Sequence, residues 1–301
     1  MTAAPDPTVL RSAVLGWYEE NARDLPWRSP AATPWAVLVS EIMLQQTPVA
    51  RVEPAWRAWL HRWPTPADLA RATPAEVLRA WDRLGYPRRA LRLREAARAL
   101  VAEHGGAVPS DEESLRGLPG IGAYTAAAVS AFAYRQRAVV LDTNVRRVLG
   151  RVVDGIALPP PSQRRTESVT AQSLLPEDPE TSARWNVAVM ELGALVCTAR
   201  APRCEQCPVA SACRWRAAGM PEDAFAATRR RQAWHGTDRQ ARGTVLAALR
   251  EQEVLRPDQV NDLWPDRAQL NRVLSGLRHD SLIAAETDLD GVVTGYRLPQ
   301  A

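Results

Sequence analysis

The chain has 301 residues with a formal net charge of +4, and 46 % of them are hydrophobic, which predicts two domains with buried cores. Such a modest charge does not identify a polyanionic partner by itself, and no apolar run is long enough to cross a bilayer. All 38 residues of the Lys plus Arg total are arginine. The sequence therefore excludes any mechanism that needs a lysine ε-amine, such as a lysine Schiff base.

Helix start signals recur through the first 220 residues. Thr33-Pro34, Thr65-Pro66 and Thr73-Pro74 each pair a capping threonine with a proline suited to the first helical turn. Apolar residues recur at helical spacing, and strand-like alternation is scarce before residue 280. The pattern predicts a mainly helical large domain.

Glu41 lies in the middle of one predicted helix, with Val37, Leu38 and Leu44 as its neighbours on the same face. A carboxyl group on an apolar face has its pKa raised by desolvation, which suits a general acid. The alternative is an ordinary glutamate at the edge of a helix.

Five arginines and one acid, Glu95, occupy the stretch between Pro87 and Arg98. This run predicts a basic helix face, which is either a solvated surface or a surface that contacts phosphates. The arginines are Arg88, Arg89, Arg92, Arg94 and Arg98.

A glycine turn at Leu118-Pro119-Gly120-Ile121-Gly122 runs directly into an alanine-rich helix. Such a turn exposes backbone N–H groups at the positive end of a helix and lets a phosphate approach without a Cβ in the way. The sequence predicts a helix-hairpin-helix motif that binds DNA, and the alternative is a plain connection between two packed helices.

Asp142 stands where another helix begins, in Leu141-Asp142-Thr143-Asn144-Val145. The helix dipole there favours the ionised carboxylate, although a simple N-cap is the common use of aspartate at such a position. One acid kept protonated and another kept charged is the arrangement that glycoside-type cleavage requires.

The four cysteines of the chain all lie in one run, with the spacing C-x6-C-x2-C-x5-C. Short sequential gaps favour a [4Fe-4S] cluster, since a zinc site more often uses two separated pairs. We expect the cluster to stabilise a short segment rather than to take part in the chemistry. With no cysteine left for a disulfide and no secretory signal over Met1 to Thr8, we expect a cytoplasmic protein. The cysteines are Cys197, Cys204, Cys207 and Cys213.

The C-terminal residues have a different pattern. Residues 239–251, 257–263 and 266–279 are predicted helices, and residues 281–286 and 292–298 are predicted strands around Asp290-Gly291. We therefore predict a helical domain over residues 1–220, a linker over 221–236 and a winged-helix-like α+β domain over 237–301. The last would either lie in a DNA groove or bind a partner.

Together the motifs resemble the A/G-specific adenine DNA glycosylases, the MutY family of the iron-sulfur helix-hairpin-helix glycosylases. The resemblance runs from about Val14 to Trp215 and keeps the family's order of motifs. Its pieces are the sequences LPWR from Leu25, SEIMLQQT from Ser40, LGY from Leu84, LPGIGAYT from Leu118, LDTNV from Leu141, and the cysteine run.

The resemblance implies a mainly α, two-lobed glycosylase fold that carries a [4Fe-4S] cluster. It implies removal of adenine opposite 8-oxoguanine or guanine in double-stranded DNA, by base flipping and acid catalysis in a monomer. Glu41 matches the acid that protonates adenine N7, and Asp142 matches the carboxylate that stabilises the oxocarbenium-like sugar. Tyr124 and Asn144 match residues that position these groups and the water.

Further residues match the family's binding positions. Leu25, Trp27 and Arg28 match the adenine pocket, and Gln46 and Tyr86 match residues that wedge into the duplex. Contacts to the DNA backbone are implied for Leu118, Gly120 and Gly122.

Two departures shape the expected activity. A sister family that resembles endonuclease III has a lysine nucleophile where this chain has Tyr124, so a monofunctional glycosylase is expected. Many members also carry a C-terminal Nudix-like domain that inspects 8-oxoguanine, and the residues after 236 are too few for one. A rival hypothesis is a non-catalytic, metal-binding regulator that reads DNA with a winged helix.

Overall fold

A computed structural model describes residues 6–229 and 234–300. The described residues form two compact units, each made of more than one stretch of chain. Residues 6–37, 110–116 and 122–229 form unit 1, and residues 38–109, 117–121 and 234–300 form unit 2. The predicted linker over 221–236 includes residues 230–233, which lie outside the described residues.

Helices dominate the described part of the chain before residue 230. Their bounds are α1 (Pro7–Asn21), α2 (Pro34–Leu44), α3 (Val49–Arg62), α4 (Pro66–Arg71), α5 (Pro74–Trp81), α6 (Arg88–His104), α7 (Glu112–Gly117), α8 (Ala123–Tyr134), α9 (Thr143–Leu149), α10 (Arg165–Leu174), α11 (Pro179–Leu195) and α12 (Arg214–Ala217).

The predicted threonine caps start these helices. The Thr65 and Thr73 side chains accept hydrogen bonds from the third residue of α4 and α5, and in return Asp68 and Glu76 accept from the capping backbone N–H. At the start of α2 the Ala36 N–H donates to Thr33 Oγ1 at 3.2 Å. Local sequence therefore fixes where these three helices begin.

Each unit has its own buried core. In unit 1 the core joins α1, α9 and α11 through residues such as Leu10, Val145 and Leu192. In unit 2 the Trp59 ring packs edge-to-face against Trp63 and Trp81, with centroids 4.5 and 5.5 Å apart. Tryptophan thus supplies bulk to a chain that has only two phenylalanines.

The C-terminal residues form a module of three helices and a hairpin, which we call the tail module (residues 234–300). Its helices pack around a core that includes Leu249, Leu270 and Leu298. Ala284 pairs with Arg297 and Ala285 with Tyr296 in the antiparallel hairpin. The elements are α13 (Asp238–Glu251), α14 (Pro257–Asp262), α15 (Arg267–His279), β1 (Ala284–Thr287) and β2 (Val293–Arg297).

The first strand starts three residues later than predicted, because the chain after α15 closes the helix. Ser281 takes a left-handed φ of 56°, and the Leu282 N–H donates to the Leu277 carbonyl at 2.9 Å. The mainly α fold with a small C-terminal α+β part is otherwise confirmed. In the part of the chain that the structure describes, none of the helices has the length and apolar character to cross a membrane.

Candidate active site and metal centre

Asp142 caps the N-terminus of α9, as the sequence predicts. The Val145 N–H donates to its Oδ1 at 2.6 Å, and the Asn144 side-chain amide donates to its Oδ2 at 2.7 Å. Thr143 is the first helical residue, a backbone that a β-branched side chain adopts readily. Both carboxylate oxygens are therefore held in one orientation.

Arg147 fixes the orientation of the Asn144 amide. Its Nη2 donates to Asn144 Oδ1 at 2.7 Å, and because a guanidinium is only a donor, the amide nitrogen must face Asp142. Arg147 also donates to the Gly193 carbonyl at 2.7 Å and, through Nε, to the Cys197 carbonyl at 2.6 Å. One buried side chain thus links the Asp142 turn, α11 and the start of the cysteine run.

Gly193 lets α11 approach this turn closely. A Cβ at Gly193 would lie 2.7 Å from Asn144 Cβ and 3.0 Å from its carbonyl oxygen. Any larger residue there would displace Asn144, so the glycine is a steric requirement of the site.

Burial raises the pKa of Asp142, although the hydrogen bonds from Val145 and Asn144 and the charge of Arg147 lower it. The helix terminus favours the ionised form of this carboxylate, and burial opposes it. An ionised carboxylate in such surroundings interacts strongly with a positive charge that develops beside it.

The two glycines of the turn before α8 are needed for different reasons. Gly120 has a φ of +80°, and a Cβ there would meet Arg92 Cβ at 2.7 Å, so only glycine fits. Gly122 caps α8 with an extended backbone, φ −92° and ψ 176°, and its Cβ position meets nothing within 4 Å. Leu118 is buried, which leaves only its backbone for contact with DNA.

Tyr124 and Glu41 occupy half-buried and buried positions. Tyr124 lies in the first turn of α8 and packs against the small cluster that contains Val140, two residues before Asp142. Glu41 lies within α2 and is 5 % exposed, between the buried residues Ser40 and Ile42. A glutamate at this depth fits the predicted acid better than a solvated helix edge.

The adenine-pocket residues predicted by resemblance lie on a 3-10 turn, Pro26–Arg28. Leu25 and Trp27 are buried. Arg28 and Arg23 bind Glu191, whose side chain is fully buried, at 2.8 and 2.7 Å. Burial alone would raise the pKa of Glu191, but the hydrogen bonds from the two arginines hold it at about 2.

Two exposed residues predicted to wedge into DNA, Gln46 and Tyr86, share an uncommon backbone. Their φ angles are +56° and +46°, in the left-handed region that costs a non-glycine residue about 1 kcal/mol or more. Arg89 holds both loops. Its Nη1 donates to the carbonyls of Ile42 and Gln45 at 2.7 and 2.6 Å.

The other terminal nitrogen of Arg89 serves the second loop. Nη2 donates to Thr47 Oγ1 at 3.1 Å and to the carbonyls of Leu84 and Gly85 at 3.2 and 3.1 Å. Burial lowers the pKa of Arg89 to about 10, which still leaves it charged at neutral pH.

The predicted basic face on α6 is only partly present. Arg88, Arg92 and Arg98 are exposed, but Arg89 and Arg94 turn toward the protein. Arg94 Nε donates to the Ala72 carbonyl at 2.6 Å. Two of the five arginines therefore satisfy backbone carbonyls, and the hypothesis of a phosphate-binding face retains the other three.

The four cysteines line one cavity together with Arg151 and Trp215. The short 3-10 turns Cys204–Gln206 and Ala210–Ala212 set the spacing of the last three. Arg151 Nη1 donates to Cys197 Sγ at 3.3 Å, and its guanidinium lies 4.4 Å from the Trp215 ring centroid.

These thiols fit a multinuclear cluster. Burial raises the pKa of the Cys207 thiol to about 11, and the charges that Cys197, Cys213 and Cys204 would carry add to the shift. Four thiolates here therefore require compensating metal cations. Across residues 6–229 and 234–300 the structure has no group of three or more His, Cys, Asp or Glu side chains suited to a single metal ion. A cluster that takes one thiolate at each iron matches the four thiols that line this cavity.

Comparison with known families gives two matches. Residues 39–171 match the HhH-GPD superfamily of base excision DNA repair proteins. Residues 197–213 match the iron-sulfur binding domain of endonuclease III, a range that begins at Cys197 and ends at Cys213.

Relatives are similar over different parts of the chain. An adenine DNA glycosylase of Mycolicibacterium smegmatis is 52 % identical over 91 % of this chain and 92 % of its own length. The human adenine DNA glycosylase is 45 % identical over 69 % of this chain and 40 % of its own length. Among solved structures, that of a thermostable thymine-DNA glycosylase has a TM-score of 0.61 at 26 % identity and covers 69 % of this chain and 95 % of its own.

Proposed function

The chain belongs to the adenine DNA glycosylases of the HhH-GPD base excision repair superfamily, and we propose that it excises adenine mispaired with 8-oxoguanine or guanine. As a member of this family it binds DNA, hydrolyses the N-glycosidic bond of adenine and carries a [4Fe-4S] cluster. The choice of mispair and the roles of individual residues are the substance of the proposal.

The hydrogen-bonded chain from Asp142 through Asn144 to Arg147 carries the assignment of the sugar-stabilising group. It fixes both oxygens of a desolvated carboxylate, an arrangement that stabilises a developing oxocarbenium ion without reorganisation. We assign this role to Asp142. Asn144 and Tyr124 position the carboxylate and the attacking water.

Glu41 is the proposed general acid. It donates a proton to adenine N7, and the C1′–N9 bond breaks with its electron pair leaving on adenine. Water then adds to C1′, and its proton passes to the Glu41 carboxylate, which restores the acid. The 5 % exposure of Glu41 keeps bulk water from competing as the proton donor.

The adenine pocket is assigned to Leu25, Trp27 and Arg28. Arg28 Nη1 is buried and has no hydrogen-bond partner among the described residues. A buried donor of this kind calls for an acceptor, and an acceptor nitrogen of the flipped base would satisfy it.

Contact with the duplex is assigned to two sets of residues. Gln46 and Tyr86 wedge into the DNA duplex beside the base opposite adenine. The backbone around Leu118, Gly120 and Gly122 binds a phosphate, because Gly122 leaves its N–H approachable and starts α8.

The absence of lysine from the sequence supports a monofunctional enzyme. Position 124 is a tyrosine, which forms no Schiff base with the abasic sugar, so strand cleavage is left to another enzyme. The rival hypothesis of a non-catalytic regulator does not account for the oriented Asp142 carboxylate.

Cys197, Cys204, Cys207 and Cys213 are the proposed cluster ligands. When bound, the cluster supplies cationic irons that stabilise four adjacent thiolates and tie residues 197–213 into one fold. We also propose that the protein is monomeric and cytoplasmic. Its helical domain would end at residue 220, and its C-terminal domain would begin after residue 236.

The test compares wild type with Glu41→Gln and Asp142→Asn in single-turnover adenine release from A·8-oxoguanine, A·G and A·T duplexes. Wild type should act on the two mispairs and leave A·T intact. Because general acid catalysis and oriented charge each contribute about 10²-fold to 10⁴-fold, each variant should lose at least about 10²-fold in rate.

Binding and a matched control separate chemistry from folding. Both variants should retain iron and bind the mispaired duplex about as tightly as wild type. Glu103→Gln, an exposed carboxylate near the end of α6, should keep the wild-type rate. A near wild-type rate in Glu41→Gln or Asp142→Asn would refute that residue's role.

A further inference from the structure

A cluster of aromatic rings and guanidinium groups joins the tail module to the Tyr86 loop. The Arg239 guanidinium lies 5.0 Å from the Tyr86 ring centroid and 5.5 Å from that of Trp234. Arg89 lies 5.6 Å from the same Tyr86 ring. We call Tyr86, Arg89, Trp234 and Arg239 the basic aromatic cluster, and all four belong to unit 2.

The tail module is packed firmly beside this loop. Ala75 and Leu78 of α5 share a buried core with Leu249 and Leu277 of the tail module, and Arg250 Nε donates to the Leu78 carbonyl at 3.0 Å. Buried apolar contacts and a satisfied buried donor of this kind fix relative position. Arg239 is therefore held in place beside Tyr86.

An ion pair also links the tail module to the chain next to the Tyr86 loop. Arg88, two residues after Tyr86, pairs with Asp280 at the end of α15 at 3.2 Å. Asp280 also pairs with Arg242 of α13. The helix that carries Arg239 is thus joined through one carboxylate to the start of α6.

The exposed atoms of the cluster suit a nucleic acid. Tyr86 is 43 % exposed and Trp234 is 48 % exposed, so large aromatic faces remain at the surface with guanidinium groups stacked on them. Aromatic faces with positive charge bind bases and phosphates together.

We propose that the tail module is part of the DNA-binding surface, with Trp234 and Arg239 contacting the strand that carries the base opposite adenine. Arg239 binds a phosphate of that strand, and Trp234 packs against the sugar and base beside it. This inference rests on the proposed function, because it places Tyr86 at the duplex. It gives the protein a second contact to the lesion strand.

The test measures duplex affinity over a range of salt concentrations for wild type, Arg239→Gln and Trp234→Ala. The DNA carries A·8-oxoguanine, and excision is blocked by a fluorinated deoxyadenosine analogue. Losing one phosphate contact should lower the slope of log affinity against log salt by about one, so Arg239→Gln should bind about tenfold more weakly at low salt. Trp234→Ala should bind more weakly with an unchanged slope.

Arg256→Gln is the matched control. This exposed arginine of the tail module pairs with Asp258 at 3.3 Å, so the variant removes one positive charge while leaving the cluster unaltered. Its affinity and slope should equal those of wild type. If Arg256→Gln matched Arg239→Gln, the effect would be one of net charge and the inference would be wrong.

A purely structural role for Arg239, in which it only holds Tyr86, predicts a different result. In a Tyr86→Leu background, a purely structural Arg239 could be replaced by glutamine with no change in affinity or slope. If Arg239 binds a phosphate, Arg239→Gln should still lower the slope in that background. Iron content and melting temperature verify that each variant is folded.

Failure of the inference and failure of the proposed function are distinguishable. Wild-type adenine release from the unmodified duplex is measured alongside binding. If wild type releases adenine and Arg239→Gln binds with the wild-type salt dependence, the inference alone falls. If wild type releases no adenine from either mispair, the proposed function falls.

Discussion

Two arginines, the buried Arg147 in unit 1 and the half-buried Arg89 in unit 2, hold the proposed working parts of this protein in different ways. Arg147 in unit 1 supports a regular helix start, where Asp142 and Asn144 have ordinary backbone angles. Arg89 in unit 2 supports two loops whose tips, Gln46 and Tyr86, have left-handed backbones. The first arginine orients the proposed sugar-stabilising carboxylate through Asn144, and the second holds two loops with left-handed backbones.

The contrast separates chemistry from recognition. Arg147 connects the Asp142 turn to the carbonyl of Cys197, so one side chain links the cysteine run to the proposed catalytic turn. Arg89 makes all its described hydrogen bonds to unit 2. Loss of Arg147 should therefore change rate and iron together, while loss of Arg89 should change DNA binding alone.

The largest expected effect belongs to Arg147→Gln. Because the Asn144 amide loses its anchor and the carbonyls of Gly193 and Cys197 lose a donor, single-turnover adenine release should fall about 10²-fold. Iron content should fall as well. The control is Arg184→Gln, which replaces an exposed arginine of α11 that pairs with Glu19 and should change neither rate nor iron content. If Arg147→Gln kept the full iron content and the wild-type rate, the role given to Arg147 would be wrong.

Arg89→Gln should act on the other side of the comparison. Without six hydrogen bonds from one guanidinium, the left-handed loops relax and affinity for the mispaired duplex should drop about tenfold, equivalent to about 1.4 kcal/mol. Iron content should stay at the wild-type level. The control is Arg57→Gln on α3, where the arginine side chain is 60 % exposed. Unaltered duplex binding by Arg89→Gln would show that the two loops keep their conformation without Arg89.

Glu191 tests how far charge pairing stabilises unit 1. Its folded pKa of about 2 lies below the ordinary value of 4.5, so its stabilisation is complete above pH 4.5 and is lost as pH falls through 2. Glu191→Gln leaves Arg23 and Arg28 without their carboxylate, which should cost about 3 kcal/mol at pH 7.

Denaturant unfolding at pH values from 7 to 3 measures this effect. The difference between wild type and Glu191→Gln should shrink as pH falls toward 3, and the difference isolates the carboxylate from acid effects common to both. Glu53→Gln, which breaks an exposed pair with Arg57, should cost less than about 1 kcal/mol. A pH-independent difference would contradict the assigned pKa.

The smallest expected effect on DNA binding comes from the turn before α8, where two glycines should respond differently to substitution. Gly120→Ala should lower the free energy of unfolding by about 1 to 3 kcal/mol, because φ is +80° and Arg92 Cβ lies 2.7 Å away. Gly122→Ala should cost less than about 1 kcal/mol of stability as an N-cap change but weaken duplex binding a few-fold, since its Cβ enters the approach to the backbone N–H. If Gly122→Ala bound the duplex as tightly as wild type, the proposed phosphate contact at this turn would be wrong.

Local signals in the sequence predicted the parts of the fold that local physics controls. Thr65 and Thr73 marked helix starts, Asp142 marked an N-cap, and Asp290-Gly291 marked a hairpin. The burial that raises the pKa of Asp142 was not predictable from the helix-start signal, because burial is a property of the folded chain.

The positioning residues were also missed for a physical reason. Arg89 stands in a run of arginines that reads as a surface, and only its carbonyl partners, up to 47 positions away, show that it points inward. Arg147, Glu191 and Gly193 matter through contacts between α9, α11 and the N-terminal loop. The spacing of Arg147 three residues after Asn144 was the one available local signal.

Product analysis of wild-type protein on a duplex with one A·8-oxoguanine pair, labelled in the adenine strand, tests the central claim most directly. We predict release of free adenine, a strand that stays intact until alkali is added, and no adduct trapped by borohydride. Cleavage without alkali together with a trapped adduct would contradict the monofunctional mechanism. Release of no adenine by iron-loaded protein would contradict the proposed function itself.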